Sequence, residues 1–306
     1  MGKNARTFGQ DSMRGEHVVG VGMGGDNGLT WTGKAAQFDG YRVENGERAE
    51  TATSGTSIFD PVLTELAYRW FSPPGGIVLD PFAGGSVRGI VAAKLGRQYI
   101  GHELRAEQVA ANKEQGDEIC GNDEYPPVWI TGDSRNIDKT CADVQADFIF
   151  SCPPYADLEV YSDDQADIST FKYTEFKQAY REIISKTCGL LRNNRFACFV
   201  VGEVRDKRGN YYNFVGDTVE AFKDAGLHYY NEAILITAVG SLPIRVGRAF
   251  SSGRKLGKTH QNVLVFIKGD PKKAVAACGE VEIDESLFNS VMTDDGGSPQ
   301  TDAVVN

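Results

Sequence analysis

Apolar residues along the chain alternate between short continuous runs and stretches with helical spacing. After Asp60-Pro61, the residues Val62, Leu66 and Trp70 recur four positions apart, which predicts a helix with proline in its first turn. Further helices are predicted over residues 87–95, 106–115, 171–191 and 213–225. Strands are predicted over residues 77–80, 99–103, 128–130, 147–150 and 196–201. This alternation predicts an α/β fold with a doubly wound, mostly parallel sheet.

The two ends of the chain depart from this alternation. Two late strands are predicted over 233–238 and 263–267 with no helix between them, so we expect a C-terminal antiparallel pair joined by a long loop. Residues 1–55 are rich in glycine and polar types without periodicity, which predicts an irregular N-terminal arm. The sequence therefore predicts one domain over 56–270, followed by a flexible acidic tail over 271–306.

Charge is unevenly distributed along the chain. The net charge is −10, but seven acids lie between Gly279 and Asn306, and without them the net charge would be −3. Residues 233–269, by contrast, contain no acid. The stretch 240–260 within them carries these cations: Arg245, Arg248, Arg254, Lys255 and Lys258. Because glycine and serine separate the cations, we expect a mobile loop that neutralises nucleic-acid phosphates, with Phe250 able to stack or wedge between bases.

The composition also disfavours several classes of protein. No run of about 18 apolar residues occurs, so we expect no membrane span. The N-terminus lacks the apolar stretch of a signal peptide, which favours a cytoplasmic location. The six cysteines show no spacing typical of metal ligands, so we expect free thiols and no metal.

Polar residues end three successive predicted strands. Asp80 opens a turn, 80–86, whose glycines allow a ligand to approach the backbone, and its carboxylate suits a ligand with a cationic amino group. Glu103 ends the second strand, where a carboxylate can accept both hydroxyls of a ribose. Asp133 follows the third strand and can accept from an adenine amino group. The turn lacks the spacing of dinucleotide and phosphate-binding loops, which disfavours NAD and ATP.

The fourth predicted strand ends in the sequence Ser151-Cys152-Pro153-Pro154-Tyr155. Two prolines fix the backbone and remove two N–H donors, so carbonyl groups point into the site beside an aromatic ring. Chemistry on an amino nitrogen needs such acceptors because they orient the NH2 group, and an aromatic face can hold a flipped base. The motif therefore predicts chemistry on an exocyclic amino group of a nucleic-acid base.

From Ser57 to Gly269 the chain resembles the amino-group DNA methyltransferases that modify cytosine N4 or adenine N6, in particular phage and prophage members with an SCPPY motif. The resemblance implies a class I methyltransferase, Rossmann-like fold and S-adenosyl-L-methionine as cofactor. The cofactor-binding residues that it implies are Ser57, Phe59, Asp80, Pro81, Phe82, Ala83, Gly84, Gly85, Glu103, Leu104, Asp133 and Ser134. The catalytic residues that it implies are Ser151, Cys152, Pro153, Pro154 and Tyr155.

One position departs from the family's pattern. The catalytic tetrapeptide usually begins with Asp, Asn or Ser, and here it begins with Cys152, whose thiol is a weak hydrogen-bond partner. Because a thiol resembles serine more than aspartate, we favour cytosine N4 over adenine N6. Attack by Cys152 on a pyrimidine ring is disfavoured because C5 methyltransferases place their cysteine after the proline, and an inert packed cysteine stays open.

The expected reaction is direct methyl transfer to DNA, without a metal or a covalent enzyme intermediate. RNA or a protein side-chain amide as substrate, a homodimer, and an inactive cofactor-binding subunit are left open. So are restriction–modification, protection of a phage genome and regulation, in a bacterial or phage-infected cell. Near the site, the acid-rich stretch 157–164 is interpreted as a solvated loop or a lid. Glu203 and Arg205 follow the fifth predicted strand, and they either line the pocket or pair with each other.

Overall fold

The computed structural model describes residues 41–44, 47–50, 59–155, 161–236 and 242–281. Their strands are β1 (Tyr41–Glu44), β2 (Glu47–Glu50), β3 (Ile77–Asp80), β4 (Gln98–Glu103), β5 (Val128–Thr131), β6 (Ala146–Ser151), β7 (Leu191–Val201), β8 (His228–Ile236) and β9 (His260–Lys268). Their α-helices are α1 (Pro61–Phe71), α2 (Val87–Lys94), α3 (Ala106–Cys120), α4 (Ile137–Thr140), α5 (Tyr173–Leu190), α6 (Phe214–Asp224), α7 (Leu242–Gly253) and α8 (Pro271–Cys278). Ser57 and residues 156–160 lie outside the described residues.

A seven-stranded sheet forms the centre of the fold, with the order β5-β4-β3-β6-β7-β9-β8. The strands from β5 to β7 pair in parallel, and β9 lies antiparallel to both β7 and β8. This confirms the predicted doubly wound α/β fold and its C-terminal antiparallel pair. Strands β4 and β5 are added on one side of β3, whereas β6 and β7 are added on its other side. The order therefore reverses between β3 and β6, which is the switch point of the sheet. Sheets of this kind bind ligands there, outside the carboxyl ends of the strands.

Helices cover both faces of the sheet because its strand residues alternate between two apolar cores. Along β7, Phe199 and Val201 join a core with Tyr180 of α5 and Phe222 of α6. The intervening residue Val200 joins a second core on the other face. That second core includes Ala67 and Tyr68 of α1, Ala92 of α2 and Val109 of α3. The central strands β3, β6 and β7 are therefore held from both sides, which fixes the position of the carboxyl edge where the polar residues lie.

The helix boundaries follow from local capping. Asp60 accepts hydrogen bonds from the N–H groups of Val62 at 2.8 Å and Leu63 at 3.1 Å, and Pro61 occupies the first turn of α1. Asp270 caps α8 in the same way, accepting from the Lys272 N–H at 2.8 Å. The prediction that a flexible tail begins at residue 271 is wrong, because residues 271–278 form α8. The Asp270-Pro271 sequence begins this helix. Residues 282–306 of the acidic tail lie outside the described residues.

Two further sequence predictions are corrected. Within the arm predicted to be irregular, β1 and β2 pair as an antiparallel hairpin. The sequence between them is Asn-Gly, a dipeptide that favours hairpins. The basic stretch predicted as a loop contains α7 instead. Glycine and serine suggested a loop there, yet Val246, Ala249 and Phe250 have helical spacing. None of the helices in the described ranges is long and apolar enough to cross a membrane.

Candidate active site

The Asp80 carboxylate is fully buried at the carboxyl end of β3 and accepts four hydrogen bonds. One oxygen accepts from the Ser151 hydroxyl at 2.5 Å and from the Phe82 N–H at 3.1 Å. The other accepts from Arg88 Nε at 2.6 Å and from the Tyr99 hydroxyl at 2.8 Å. A carboxylate has about four lone-pair positions, so these contacts occupy the acceptor capacity of Asp80. Its carboxylate therefore organises the turn from within, and in this conformation it offers no free acceptor to a ligand's amino group.

Arg88, in the first turn of α2, is the cation that makes this burial possible. Its guanidinium lies 2.6 Å from Asp80, and one of its terminal nitrogens donates to the carbonyls of Phe82 at 2.7 Å and Ala83 at 2.9 Å. The Phe59 ring covers the guanidinium at 4.6 Å. Burial alone would lower the pKa of Arg88, but the Asp80 carboxylate together with Tyr99 and Cys152 outweighs burial, and the pKa is raised above its usual value. The arginine stays charged and holds the first half of the turn, from Asp80 to Ala83.

Ser151 connects the glycine turn to the proline motif across the switch point. Its hydroxyl donates to Asp80, and Ser151 is itself fully buried at the end of β6. Because β3 and β6 are adjacent parallel strands, this single hydrogen bond sets the turn after β3 beside the Cys152–Tyr155 stretch that follows β6. Two segments that are about 70 residues apart in the chain thus form one site.

The turn after β3 is open on one side and tightly held on the other. Gly84 has a φ of +51°, a left-handed conformation that favours glycine, and a Cβ atom at Gly84 or Gly85 would meet nothing within 4 Å. Glu103 accepts from the Gly84 N–H at 3.0 Å, and Asn112 of α3 donates to the Gly84 carbonyl at 2.7 Å. The backbone is therefore fixed while the space beside the two glycines stays free for a ligand.

The Glu103 carboxylate lies at the carboxyl end of β4, beside the glycine turn. Each of its oxygens accepts one backbone N–H, from Gly84 at 3.0 Å and from Arg105 at 3.0 Å, which leaves lone pairs on both oxygens. Its side chain is 13% exposed, and burial raises the pKa of this carboxyl above its usual value, with Arg105 opposing that rise. Leu104, next in the chain, is half-buried. Glu103 can still accept hydrogen bonds from two hydroxyl groups.

Asp133 and Ser134 follow β5 on the far side of Glu103. Asp133 accepts from the Arg135 N–H at 2.9 Å and pairs with the Arg135 guanidinium at 2.7 Å, with 21% of its side chain exposed. Ser134 is buried and donates to the Pro81 carbonyl at 2.6 Å. Buried His102 lies between the Ser134 hydroxyl, 3.1 Å from Nδ1, and the Thr140 hydroxyl, 3.0 Å from Nε2.

The order of donors in this network assigns the tautomer of His102. Since Ser134 donates to Pro81, its oxygen accepts from His102 Nδ1–H, and Nε2 accepts from the Thr140 hydroxyl. Burial lowers the pKa of His102, although nearby Asp133 opposes this, so the ring is neutral. The glycine turn is therefore fixed through Pro81 as well as through Gly84.

Tyr155 is half-buried, and its ring is held in one orientation at the end of the proline motif. Gln261 of β9 donates to the Tyr155 hydroxyl at 2.5 Å. The Phe214 ring packs edge-on against it with centroids 6.0 Å apart, and a Cβ atom on Gly202 would lie 3.6 Å from the ring. Burial, with a smaller contribution from neighbouring Cys152, raises the pKa of the phenol well above its usual value, so the phenol is neutral. A fixed neutral ring is suited to stacking on a flat group.

Of the residues between Ser151 and Tyr155, Cys152 packs against the second core. Pro153 is buried, Pro154 and Cys152 are half-buried, and the Cys152 sulfur lies 4.0 Å from the Tyr155 hydroxyl. None of the six cysteines, all of them in the described ranges, forms a disulfide. Beyond the motif, residues 161–170 return to the sheet edge, and the buried Asp167 carboxylate accepts from the Ser162 N–H at 2.8 Å.

Two charged residues, Glu203 and Arg205, follow β7 and do not pair with each other. The Glu203 carboxylate accepts from the N–H groups of Phe214 at 3.2 Å and Val215 at 3.3 Å, and so holds the start of α6. Arg205 instead lies 3.7 Å over the Tyr211 ring and donates to the Gly209 carbonyl at 2.7 Å. Of the two alternatives from the sequence, the structure therefore excludes the Glu203–Arg205 pair.

The predicted nucleic-acid-binding cations lie on and after α7. Arg248 and Arg254 are exposed, and Arg254 lies 4.9 Å over the Phe250 ring. Lys255 and Lys258 are half-buried, and Lys258 Nζ lies 3.4 Å from the Asn262 amide oxygen. Arg245 is within α7, but its side chain is outside the described residues.

Two residues of this site had no basis in the sequence analysis. Arg88 and Gln261 each contact a central residue of the site, Asp80 and Tyr155 respectively. An arginine two positions after the turn is usually solvated on a helix surface, so nothing in its spacing indicated burial. Gln261 is 106 residues away from Tyr155 in the chain, and only the antiparallel return of β9 beside β7 brings it to the same edge.

Comparison with known proteins gives one match at the sequence level. Residues 59–114 match a family model described as DNA methylase. The matched stretch includes the turn after β3, Arg88, Glu103 and Asn112. No curated protein matches this chain.

Several solved structures are similar at low identity. Magnesium protoporphyrin IX methyltransferase from Synechocystis PCC 6803 with bound SAM has 12% identity and a TM-score of 0.43, covering 68% of this chain and 76% of that one. A TehB-like SAM-dependent methyltransferase from Corynebacterium glutamicum has 16% identity and a TM-score of 0.42, covering 69% and 89%. Precorrin-6y C5,15-methyltransferase from Geobacter metallireducens has 10% identity and a TM-score of 0.43, covering 68% and 87%. At these values the likeness says nothing about substrate, and the match over residues 59–114 is the one that points to a DNA methylase.

Proposed function

We propose that this chain is an S-adenosyl-L-methionine-dependent methyltransferase that modifies an exocyclic amino group of a DNA base, cytosine N4 in preference to adenine N6. The observation that carries the proposal is the 2.5 Å hydrogen bond from Ser151 to Asp80. It joins the glycine turn, where the space beside Gly84 and Gly85 is open, to a motif that ends in a fixed aromatic ring, at the switch point of the sheet. The match of residues 59–114 to a DNA methylase model supports the same assignment.

The residues around the turn are compatible with S-adenosyl-L-methionine. A Cβ atom at Gly84 or Gly85 would point into empty space, so the backbone there is accessible to a ligand. Glu103 retains lone pairs for ribose hydroxyls, and Asp133 lies at the end of the next strand for an adenine amino group. Phe82, Leu104 and Ser134 complete the proposed cofactor site. When bound, this cofactor supplies an electrophilic methyl group.

Asp80 has a different part in this proposal from the one its position in the sequence indicated. Because its carboxylate is fully engaged, it acts as a positioning residue for Ser151, Arg88 and the turn. Ser151 is a positioning residue too, since its hydroxyl is committed to Asp80. The two residues together fix where the cofactor turn ends and where the base-binding motif begins.

The remaining residues of the motif bind and orient the base. The Tyr155 ring, fixed by Gln261 and Phe214, stacks on the flipped base. The Pro153 carbonyl and the Cys152 thiol lie between Ser151 and Tyr155 and accept from the amino group, which turns its lone pair towards the methyl group. The thiol is a weak acceptor and resembles serine more than aspartate. We therefore favour cytosine N4 over adenine N6 as the target. The proton leaves the amino nitrogen after transfer.

The proposal is tested by incubating the purified protein with methyl-labelled S-adenosyl-L-methionine and, in separate reactions, DNA, RNA and a protein mixture. Nucleosides and amino acids are then analysed by mass spectrometry. We expect N4-methylcytosine in DNA, with N6-methyladenine as the second choice. Label in RNA or protein but none in DNA would overturn the DNA assignment, and 5-methylcytosine would overturn the amino-group assignment. Cofactor binding without any transfer would indicate an inactive subunit.

A further inference from the structure

A short hairpin over residues 204–212 rises from the carboxyl end of β7. Arg205 and Tyr211 pair across it as an antiparallel bridge, and the Tyr212 N–H donates to the Val204 carbonyl at 3.0 Å. At its tip, the Asp206 N–H donates to the Asn210 carbonyl at 2.8 Å, and the Asp206 carboxylate accepts from the Asn210 N–H at 2.8 Å. The hairpin is therefore closed by its own hydrogen bonds, and Asp206 serves that closure.

Both ends of this hairpin are fixed against Tyr155. Gly202, just before it, lies beside the Tyr155 ring. Phe214, just after it, packs edge-on against the same ring, and Glu203 binds the Phe214 N–H. Whatever stacks on Tyr155 consequently has the hairpin as its neighbour.

The outer side of the hairpin combines exposed cations with aromatic rings. Lys207 and Arg208 are exposed at the tip, and the Arg205 guanidinium lies over the Tyr211 ring, which is 46% exposed. The Tyr212 ring stacks on Tyr173 at the start of α5, with centroids 3.9 Å apart and planes at 6°. Guanidinium and ammonium groups bind phosphates, and flat aromatic surfaces accept bases or sugars, so this combination is typical of nucleic-acid surfaces.

A cleft of about 280 Å³ lies between the hairpin and the start of α5. Its walls are formed by Lys172, Tyr173, Asp206, Lys207, Arg208 and Tyr212. Three of these six residues are cations, and the single acid, Asp206, is engaged within the hairpin. Pockets that enclose a drug-sized ligand span about 300–1,000 Å³, so this cleft is suited to a small anionic group such as a phosphate.

The second basic segment of the chain meets the same hairpin. Gly209, at the tip, has a φ of +95°, and a Cβ atom there would overlap the end of the Lys255 side chain. Lys255 therefore packs against the tip, immediately after exposed Arg254. Two cationic segments that the sequence keeps about 50 residues apart form one surface beside Tyr155.

We propose that this hairpin holds a backbone phosphate of the nucleic-acid strand that carries the target base, with Lys207, Arg208 and Lys172 as its ligands. The inference deepens the proposed function and rests on it. It adds a contact surface from the β7–α6 connection to the predicted one on residues 240–260. The hairpin fixes the strand beside the flipped base, and the phosphate contact is independent of base sequence.

The test compares two double variants with the same loss of charge. Lys207→Ala/Arg208→Ala removes the exposed cations of the hairpin. Lys272→Ala/Lys273→Ala removes two exposed lysines of α8. This helix follows the last residues of β9, which pair with the first residues of β7. It therefore lies at the edge of the sheet opposite the hairpin. Binding of fluorescent single-stranded DNA, duplex DNA and RNA is measured by anisotropy at several salt concentrations. Calorimetry with S-adenosyl-L-methionine and thermal melts check that both variants are folded.

We expect the hairpin variant to bind single-stranded DNA about tenfold more weakly than wild type. Its slope of log affinity against log salt should fall by about 0.7, since the hairpin holds one phosphate and each phosphate contact on a single strand contributes about 0.7. The α8 variant should match wild type within about twofold. Equal losses in both variants, or an unchanged affinity and salt slope in the hairpin variant, would overturn the inference.

Methyl transfer measured on the same samples separates this inference from the proposed function. If wild type methylates DNA while the hairpin variant binds DNA as tightly as wild type, the inference fails and the proposed function stands. If the hairpin variant loses affinity but wild type transfers no methyl group to any nucleic acid, the surface stands and the proposed function fails.

Discussion

The buried ion pair between Arg88 and Asp80 gives the sharpest prediction about stability. Replacing Arg88 with methionine keeps most of the side-chain volume and leaves the Asp80 carboxylate, which is fully buried, without its cation. Removing one partner of a buried ion pair costs about 3–5 kcal/mol, because the remaining charge is uncompensated. Ser151, Tyr99 and the Phe82 N–H still donate to Asp80, so we expect the lower half of that range.

The magnitude follows from the difference in burial between this pair and an exposed one. Arg88 and Asp80 are 5% and 0% exposed, whereas Arg69 and Glu65, an i,i+4 pair on α1, are 54% and 46% exposed. Exposed helix pairs of that kind contribute about 0.3–0.5 kcal/mol. Arg69→Met is therefore a matched control, with the same substitution and the same change in charge.

Urea unfolding of wild type, Arg88→Met and Arg69→Met measures the two costs, and Asp80→Asn is measured as the second single variant of the cycle. The double variant Arg88→Met/Asp80→Asn should be more stable than the sum of the single losses predicts, because the uncompensated charge is removed as well. If Arg88→Met costs no more than Arg69→Met, or if the double variant is simply additive, the central ion pair does not organise the turn as argued.

Two further predictions concern His102 and Gln261. Burial lowers the pKa of His102, so the folded chain favours the neutral ring. In the unfolded chain the pKa of this histidine is about 6.5. As the pH falls below that value, protonation favours the unfolded chain and the free energy of unfolding decreases. His102→Asn should therefore lose less of its unfolding free energy than wild type between pH 7 and pH 5 in urea titrations, and parallel losses would contradict the neutral assignment. Gln261→Ala removes the 2.5 Å hydrogen bond to Tyr155 and should lower kcat about tenfold with little change in the Kd for S-adenosyl-L-methionine; an unchanged kcat would show that the ring needs no such support.

The strand-end residues were predictable because position in a parallel sheet dictates which of them meet. Asp80, Glu103, Asp133 and Ser151 each end or follow a strand that periodicity had already placed, and parallel strands bring their carboxyl ends to one edge. Sequence spacing does not indicate how many hydrogen bonds from within the protein a carboxylate accepts. Asp80 was expected to face a ligand, and the structure shows its acceptor positions filled by Arg88, Tyr99, Ser151 and Phe82.

The features that sequence reasoning missed depend on long-range contacts or on mixed composition. Gln261 reaches Tyr155 only because β9 runs antiparallel beside β7. The glycine and serine residues around α7 indicated a loop, although its apolar residues have helical spacing. The charges of Glu203 and Arg205 after β7 gave no sign of the hairpin over residues 204–212, because their separate partners depend on the folded chain.

The central claim is that Tyr155 receives the base at a site joined to, but distinct from, the cofactor turn. It is tested by measuring two quantities for wild type, Tyr155→Phe and Tyr155→Ala: the Kd for S-adenosyl-L-methionine by calorimetry, and the single-turnover rate of methyl transfer to DNA. Base–aromatic stacking contributes about 1–3 kcal/mol per base. We therefore predict that Tyr155→Ala slows transfer by about five- to 150-fold, that Tyr155→Phe keeps most of the rate, and that all three proteins bind the cofactor within about twofold. Transfer by Tyr155→Ala at the wild-type rate would contradict the claim.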